Sequence, residues 1–181
     1  MRYIIASDLH GSAYYCKKIK EIFLKEQGDR LILLGDIYYH GPRNPLPYEY
    51  KPKEVIKELN EISDKLIVIK GNCDSEVDEM VSKFQFNLEK EIILNDKRFY
   101  LTHGHKHNKD NLPENDFDIM CYGHFHTGFI KEIDGKIFVN TGSLSLPKEN
   151  TENSYILVTE KNITLKNLDG KIIQTINLDK I

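Results

Sequence analysis

The fold is predicted most directly by a stretch near the start of the chain, Tyr3-Ile4-Ile5-Ala6-Ser7-Asp8-Leu9-His10-Gly11. The short apolar run at 3–6 is typical of a buried strand, and polar residues follow where that strand ends. Apolar runs followed by glycine and polar residues recur at 31–34 and 66–69. Segments with helical periodicity separate these runs, so the first half of the chain is predicted to be βαβαβα.

Three helices are expected between and after these runs. Ser12 is a suitable N-cap for the first helix, which is expected to end near Gly28. The third begins after Asp74 or Ser75, and its apolar residues are predicted to face inward. Those residues are Val77, Met80, Val81 and Phe84. Residues 37–52 are too long for a plain connection between strand and helix, which predicts a segment that is either functional or disordered.

The second half of the chain is predicted to be mostly antiparallel strands. Turn signals at Asn95-Asp96-Lys97, Asp134-Gly135 and Asp169-Gly170 join neighbouring strands. The predicted strands are 91–94, 98–102, 118–122, 129–133, 136–140, 155–159, 163–168 and 171–176. The expected fold class is α/β, with two packed mixed β-sheets flanked by helices in a single domain over residues 1–181.

Composition and charge exclude several classes of protein. The chain has 25 Lys and Arg against 28 Asp and Glu, and the net charge of −3 gives no support to non-specific binding of nucleic acid. No apolar stretch approaches the roughly 18 residues of a membrane-spanning helix, and the first apolar run is too short for a signal peptide. The cysteines Cys16, Cys73 and Cys121 form no C-x-x-C pair, which argues against disulfides and thiolate zinc sites. A cytoplasmic location is expected.

Polar motifs with metal-binding side chains follow five of the predicted strands. They are Asp8-Leu9-His10-Gly11, Gly35-Asp36, Gly71-Asn72-Cys73-Asp74, His103-Gly104-His105 and Gly123-His124-Phe125-His126. Ligands of α/β sheets bind at the carboxyl ends of strands, so these motifs are expected to converge. Imidazole, carboxylate and amide groups suit borderline divalent metals. The donors are too many for one zinc ion, and they fit two metals that share a carboxylate and act at phosphorus.

Each motif has a simpler structural explanation when it is taken alone. A D-x-H pair occurs by chance in many chains, and Gly35-Asp36 and Gly71-Asn72 are often turns. His103-Gly104-His105 could be a solvated loop. In contrast, few purely structural roles would explain alternating histidines at 124 and 126 after a buried strand. All five motifs stand in order after predicted strands, and this combination favours the metal site.

The ordered set D-x-H, G-D, G-N-x-D, H-G-H and G-H-x-H resembles the calcineurin-like metallophosphoesterase superfamily. The segment Asn140-Thr141-Gly142-Ser143 also resembles that group. Residues 35–45 and 71–78 are similar to the small bacterial YfcE-type phosphodiesterases. The resemblance covers nearly the whole chain and implies a four-layer αββα sandwich.

The resemblance also implies roles for individual residues. One metal would be held by Asp8, His10, Asp36 and His126. Asp36 would bridge to a second metal, which would be completed by Asn72, His103 and His124. A hydroxide between the metals would be the nucleophile, and Asn72 would help to stabilise the charge on phosphoryl oxygens. The donor set favours Mn²⁺, with Ni²⁺, Fe²⁺, Co²⁺ and Zn²⁺ as alternatives.

The chain departs from the superfamily pattern at Cys73, because many members have a histidine directly after the motif asparagine. A thiol is a poorer general acid than an imidazole, so diesters with good leaving groups should be favoured over monoesters. The alternative is that Cys73 is a small buried residue without a catalytic role. His105 is predicted to orient a ligand histidine, with simple solvation as the alternative. His107 is expected to be exposed.

Three residues of the 37–52 segment are candidates for contact with substrate: Tyr39, His40 and Arg43. The guanidinium of arginine suits phosphate because its donors form a fork. The alternative for all three is solvation or contact between subunits. The Tyr- and Pro-rich residues 46–50 could form an interface in a homodimer or a higher homo-oligomer, because tyrosine is enriched at protein interfaces.

The function predicted from these features is that of a binuclear metal-dependent phosphodiesterase acting on a small phosphodiester, whose identity the sequence leaves open. The alternative is a non-catalytic scaffold subunit of the same fold, as in retromer. A scaffold can lose metal ligands without penalty, and no ligand position is missing here, which favours the enzyme. A nuclease acting on polymeric DNA is not favoured, because the net charge is negative.

Overall fold

The computed structural model describes residues 1–180, which form two mixed β-sheets, three α-helices and short 3₁₀ turns. The helices are α1 (Ala13–Lys25), α2 (Pro52–Asn60) and α3 (Glu76–Val81). The strands of the first half are β1 (Tyr3–Ala6), β2 (Arg30–Leu33), β3 (Leu66–Ile69) and β4 (Phe86–Asn87). Those of the second half are β5 (Lys90–Leu94), β6 (Lys97–Leu101), β7 (Ile119–Tyr122), β8 (Phe129–Ile133), β9 (Lys136–Asn140), β10 (Ser154–Val158), β11 (Asn162–Asn167) and β12 (Ile172–Asn177).

The two sheets combine parallel and antiparallel pairs. Within residues 1–180, the larger sheet has the order β12-β11-β10-β1-β2-β3-β4, and the smaller has the order β5-β6-β7-β9-β8. β1 to β4 are parallel to one another, and β10 joins β1 antiparallel. In the second half, which was predicted to be mostly antiparallel, β6, β7 and β9 pair in parallel. These parallel pairs bring the carboxyl ends of β6 and β7 to one edge of their sheet.

The core lies between the sheets and beneath the helices. Ile5 and Ile32 of the larger sheet share one apolar cluster with Phe99 and Cys121 of the smaller sheet, so the sheets pack face to face. α1 and α2 cover the other face of the larger sheet. This arrangement confirms the predicted fold class of two mixed sheets flanked by helices. The outer face of the smaller sheet carries an aromatic cluster that includes Phe117, and no helical residue among 1–180 belongs to that cluster.

The first two helices match their sequence signals. The Ser12 side chain accepts a hydrogen bond from the backbone N–H of Tyr15, which caps α1 at its N-terminus. The side chain of Cys16 is buried on the inner face of α1, as predicted. α2 begins with Pro52, whose fixed φ and missing N–H suit a first helical position. None of the helices within residues 1–180 is long and apolar enough to cross a membrane.

The prediction of an inward apolar face for α3 is wrong. Val77 and Met80 are 63% and 82% exposed, and Val81 is also exposed. The helix lasts only from Glu76 to Val81, so Phe84 lies beyond its end, although Phe84 does pack against the core as predicted. Six residues are too few to form a continuous stripe of apolar side chains against a sheet, and the spacing of the apolar residues was therefore misleading.

The segment 37–52 is ordered by its contacts with the start of α1. Ser12 forms an isolated bridge with Tyr50 and donates its hydroxyl hydrogen bond to the carbonyl of Tyr48. Ile37 and Tyr38 are buried in the core beneath α1. The segment is therefore ordered beside the carboxyl end of β2. The sequence predicted either a functional or a disordered segment, and the disordered alternative is wrong.

Candidate metal centre

The side chains predicted to hold metal follow the carboxyl ends of five strands, and most of them meet in one buried place. Asp8 and His10 follow β1, and Asp36 follows β2. His103 follows β6 and His126 follows β7. All five side chains are buried. The parallel pairs in both sheets therefore create the meeting point that the motif order predicts.

Several of these residues have a strained backbone. The φ angles are positive at Asp8 (57°), His10 (50°), Asp36 (55°), His124 (64°) and His126 (61°). A residue with a Cβ atom pays roughly 1 kcal/mol or more for this left-handed conformation, and such residues cluster at functional sites. The strain therefore lies where the side chains must be aimed at a common point.

The first compact group consists of Asp8, His10 and His126, whose ligand atoms lie within 4.8 Å of one another. The Nε2 atoms of His10 and His126 are 3.2 Å apart. Oδ1 of Asp8 lies 3.2 Å from His126 Nε2 and 3.6 Å from His10 Nε2. One nitrogen from each ring and one carboxylate oxygen thus point at the same small volume.

The outer nitrogens of the buried histidines are fixed by backbone carbonyl groups. Nδ1 of His10 lies 2.8 Å from the carbonyl oxygen of Tyr39, and Nδ1 of His126 lies 2.6 Å from that of Leu146. Because a carbonyl oxygen can only accept, each Nδ1 must carry the hydrogen and donate it. In the neutral rings, both Nε2 atoms are then lone-pair acceptors, and they face each other. Histidines that bind metals are oriented in this way.

The second compact group consists of Asp8, Asp36 and His103. Nδ1 of His103 donates to the carbonyl oxygen of Leu34 at 2.6 Å. Its Nε2 faces Oδ1 of Asp36 at 3.4 Å and Oδ1 of Asn72 at 3.0 Å. Nε2 in the neutral ring is again an acceptor that faces acceptors, and only a proton or a cation can satisfy this arrangement.

Asp36 faces both groups with different oxygens. Its Oδ2 lies 3.7 Å from Nε2 of His10, whereas its Oδ1 lies on the side of His103. The backbone N–H of Cys73 donates to Oδ1 at 2.9 Å, which holds the carboxylate in place. This placement supports a bridging role for Asp36.

The pKa values of two histidines in the centre are shifted in opposite directions. Burial lowers the pKa of His103, but its hydrogen bond to Asp36 and the charges of both carboxylates outweigh this and raise the pKa to about 9. Burial and the neighbouring His103 lower the pKa of His124 to about 4, so its ring is neutral at physiological pH and keeps a free lone pair. The ring of His124 packs edge-on against that of His103 with centroids 5.1 Å apart. His124 is not part of the compact ligand groups found within residues 1–180.

The residues present fit divalent metal ions. Oδ1 of Asp8 is buried and has no hydrogen-bond partner within the described residues. An unpaired buried carboxylate oxygen is costly unless a cation compensates it. The facing Nε2 atoms of His10 and His126 require the same compensation. Imidazole and carboxylate donors with one amide suit borderline divalent metals rather than thiophilic ones.

The sequence did not reveal the residues that fix the ligand loops. Asp74 accepts hydrogen bonds at 2.8 Å from the backbone N–H groups of Asp36, Ile37 and Gly71, which ties the loops after β2 and β3 together. Ser143 donates to the carbonyl of Asp8 at 2.8 Å. The only signal for these roles was membership of the G-N-x-D motif and of the segment at 140–143.

Of the three residues predicted to contact substrate, two line a cleft beside the candidate ligands and one does not. Tyr39 and Arg43 line an open cleft of about 750 Å³ together with the candidate ligands Asn72 and His126. His40 does not line this cleft, because its ring packs between those of Tyr39 and Tyr50.

Cys73 also lines the cleft. Burial, followed by the charge of Asp36, raises the pKa of its thiol to about 12, so the thiol keeps its proton at neutral pH. Its Sγ also belongs to a compact group with His10 and Asp36.

Two further histidines lie on the other side of the centre. The ring of His105 lies 5.4 Å from that of His103 and lines a second, smaller cleft together with His107. The prediction that His107 is exposed is wrong, because its Nδ1 lies 2.6 Å from Oε1 of Glu89 and the side chain is only partly exposed.

Two mixed sheets with paired carboxylates and imidazoles at their strand ends define an α/β protein with a candidate divalent-metal centre. The chain belongs to the calcineurin-like phosphoesterase superfamily, because the model of that superfamily's domain matches residues 1–162. This confirms the resemblance seen in the ordered motifs.

Individual relatives agree with this assignment. The chain is 42% identical to Phosphodiesterase YfcE of Escherichia coli (strain K12) over 158 residues, which cover 86% of this chain and 85% of that protein. It is 32% identical over 105 residues to the Probable metallophosphoesterase YsnB of Bacillus subtilis (strain 168), covering 52% of this chain and 57% of that protein.

Solved structures extend the comparison to the whole fold. The structure of YfcE, a phosphoesterase from E. coli, matches with a TM-score of 0.94 and 36% identity and covers 97% of this chain and 98% of that one. Vps29 of Entamoeba histolytica, solved in complex with zinc, matches with a TM-score of 0.64 and 19% identity over 98% of this chain and 99% of its own. At that identity the likeness to Vps29 concerns the fold alone.

Proposed function

We propose that the protein is a metal-dependent phosphodiesterase that hydrolyses a small phosphodiester at a binuclear centre. The observation that carries this proposal is the position of Asp36, whose two carboxylate oxygens face two separate groups of inward-pointing imidazole nitrogens. The 42% identity to a protein named Phosphodiesterase YfcE supports a diester as the substrate.

The ligands divide between two metal positions. The first would be held by Asp8, His10, Asp36 and His126. The second would be held by Asp36, Asn72, His103 and His124. Two bound divalent ions would supply a water of lowered pKa as the nucleophile and would neutralise charge on the phosphoryl oxygens. Carboxylate, imidazole and amide donors favour Mn²⁺, with Ni²⁺, Fe²⁺, Co²⁺ or Zn²⁺ as alternatives.

Residues of the chain itself would position the substrate and control protons. Asn72 lines the cleft, and its Oδ1 lies 3.0 Å from Nε2 of His103, so its amide would contact a phosphoryl oxygen of the substrate. Arg43 and Tyr39, also in the cleft, would contact phosphate or the leaving group. His105 would help to fix the ring of His103.

Cys73 would make the enzyme selective for good leaving groups. Its thiol has a pKa of about 12, so it is a far weaker proton donor than the imidazolium of a histidine at this position would be. A diester whose leaving group departs as a stable anion does not need that proton. Phosphomonoesters and diesters of poor leaving groups would therefore react slowly.

The second candidate function is that of a scaffold that binds other proteins. The observation in its favour is the exposed apolar surface of α3, which includes Val77 and Met80. The complete set of ligands favours the enzyme, because a scaffold has no need for a buried carboxylate oxygen without a partner.

The test is a paired assay on metal-stripped protein. Bis(4-nitrophenyl) phosphate and a monoester with a poor leaving group, glycerol 2-phosphate, are each incubated without metal and with Mn²⁺, beside an Asp36→Asn variant. The proposal expects metal-dependent turnover of the diester, little turnover of the monoester, and loss of both in the variant. Folded wild-type protein that hydrolyses neither compound with Mn²⁺, Ni²⁺, Fe²⁺, Co²⁺ or Zn²⁺ would reject the enzyme and favour the scaffold.

A further inference from the structure

The cleft beside the metal centre continues beyond the candidate ligands. Its volume of about 750 Å³ lies within the range of about 300–1,000 Å³ that is typical of pockets for organic ligands. Its lining includes Arg43, Phe125 and Lys148, none of which is a candidate metal ligand. A single phosphate group is much smaller than this volume, so Phe125 and Lys148 need a different explanation.

The backbone of Lys148 is fixed by hydrogen bonds, whereas its ammonium group has no partner among the described residues. Its backbone N–H donates to the carbonyl of His126 at 3.0 Å, and its carbonyl accepts from the hydroxyl of Thr151 at 2.7 Å. Within residues 1–180 the side chain makes no ion pair or hydrogen bond. Lys148 itself is exposed at the cleft, whereas the less exposed Lys20 and Lys166 are paired with glutamates.

Arg43 gives the cleft a second uncommitted cation. It lies on the 37–52 segment, and its guanidinium forms no ion pair or hydrogen bond with the described part of the chain. Arg43 and Lys148 are both exposed, and both line this one cleft. The cleft is also lined by Asp36, a candidate ligand, and by Asp74, whose carboxylate accepts backbone N–H groups. Arg43 and Lys148 are then left to attract an anion, and the candidate metals account for only one anionic group of a substrate.

Phe125 places an aromatic ring in the same cleft. The residue is 45% exposed although it lies between two candidate ligands in the sequence. Its ring is braced edge-to-face by the rings of His124, at 5.2 Å, and Tyr122, at 6.2 Å. Its backbone N–H donates to the carbonyl of Gly123 at 2.7 Å. A fixed ring with an exposed surface is suited to stacking on another planar group.

We propose that Lys148 and Phe125 form a subsite for the part of the substrate that lies beyond the scissile phosphodiester. That part carries a planar aromatic ring, which stacks on Phe125, and a second anionic group, which pairs with Lys148. A nucleoside that bears an additional phosphate has both features. This inference rests on the proposed function, because the scissile phosphate is taken to lie at the metal centre.

The subsite is tested by direct binding rather than by turnover. Thymidine 5′-monophosphate and thymidine 3′,5′-bisphosphate are titrated calorimetrically into Mn²⁺-loaded protein, with inorganic phosphate as a probe of the centre alone. The variants are Lys148→Met and Phe125→Leu. The matched control is Lys53→Met, since Lys53 is an exposed lysine of α2 without an ion pair or hydrogen bond in the described residues.

The expected results differ between the two variants. The wild type and Lys53→Met should bind the bisphosphate about fivefold more tightly than the monophosphate, the gain of one well-placed ion pair, and Lys148→Met should lose this preference. Phe125→Leu should weaken both nucleotides about fivefold or more, because a stacked base is lost, while its affinity for inorganic phosphate stays unchanged.

Failure of the inference can be told apart from failure of the proposed function. If bis(4-nitrophenyl) phosphate is hydrolysed but Lys148→Met keeps the preference for bisphosphate, the anionic half of the subsite is wrong. If Phe125→Leu weakens inorganic phosphate as much as the nucleotides, Phe125 supports the ligand loop and does not stack. Absence of any metal-dependent hydrolysis by the wild type would instead reject the enzyme itself.

Discussion

Replacing Gly123 with alanine tests whether the metal centre depends on the close approach of the β7 and β1 ends. A Cβ atom at position 123 would overlap Ser7 Oγ and Asp8 Oδ2 and would lie 2.5 Å from Ser7 Cβ. Ser7 and Asp8 are both buried, so neither side chain has free space into which it can move. The new methyl group must therefore push the two strand ends apart or displace the carboxylate of Asp8.

The cost follows from two contributions. Overpacking of a dense interior costs about 1–3 kcal/mol. The carboxylate of Asp8 also accepts the backbone N–H of His124 at 2.9 Å, and loss of a hydrogen bond to a charged group costs about 1.5–3 kcal/mol. The two contributions overlap, since one displacement relieves the clash and breaks the bond. We expect the free energy of unfolding to fall by about 3 kcal/mol.

The assay is urea unfolding of metal-free protein, together with calorimetric titration of Mn²⁺. Gly128→Ala is the control, because its Cβ would meet only the Ser154 hydroxyl at 3.0 Å and the side chain of Leu165 at 3.3 Å. That variant should lie within about 1 kcal/mol of the wild type, whereas Gly123→Ala should also lose about tenfold or more in Mn²⁺ affinity. Equal stability of the two variants, with wild-type affinity for Mn²⁺ in both, would refute the reasoning.

Two further predictions concern the leaving group and a buried ion pair. Cys73→His should raise the turnover of glycerol 2-phosphate relative to that of bis(4-nitrophenyl) phosphate by about tenfold or more, because an imidazole can protonate the poor leaving group of the monoester. An unchanged ratio would mean that Cys73 is only a packing residue. Burial would raise the pKa of Glu26, but Lys166, Tyr155 and Arg2 outweigh it and hold that pKa below its ordinary value. Glu26 therefore stabilises the fold above the unfolded-state pKa of about 4.5, and this contribution is lost as the pH falls through the lower folded-state pKa. Glu26→Gln should lower the free energy of unfolding by about 1–2 kcal/mol at pH 7. In urea unfolding, this difference between wild type and variant should shrink as the pH falls; a difference that stays constant would contradict a lowered pKa of Glu26.

Local sequence signals predicted most of the fold. The apolar runs that became β1, β3, β8 and β9 have the same bounds in the structure as in the sequence pattern. Tight turns and alternating apolar residues specify such elements over a few positions. β4, with only two residues, is too short to produce a pattern, and it owes its existence to pairing with β3.

The candidate site was predictable in part because its ligands follow strands in a fixed order. What the motifs did not contain is the direction of each side chain, which is set by long-range contacts such as that of His126 with Leu146. Lys148 stands well outside the motifs, and it reaches the cleft only because its backbone is bonded to that of His126. Residues such as Lys148 are brought to the cleft by hydrogen bonds between distant segments of the chain, and no local sequence pattern predicts these bonds.

A proton and a metal ion should compete for His103, and this competition tests the centre without any substrate. Below a pKa of about 9, the metal-free ring carries a proton on Nε2, where Asn72 Oδ1 at 3.0 Å accepts it. Nδ1 already donates to the carbonyl of Leu34, so Nε2 is the nitrogen left to bind a metal. Binding must therefore expel that proton, and affinity must rise with pH up to about 9 and level off above it.

The measurement is Mn²⁺ titration at pH 7.5 in buffers of different ionisation enthalpy, which reports the number of protons released. His107→Gln is the control, because His107 bonds to Glu89 in the neighbouring cleft and should leave the count unchanged. Release of about one proton or more by the wild type, with affinity falling about tenfold per pH unit below the pKa, is the expected outcome. Binding without proton release would mean that Nε2 of His103 is not a ligand. The second metal position would then lose its only fully buried imidazole, and the centre would be reduced to the group of Asp8, His10 and His126.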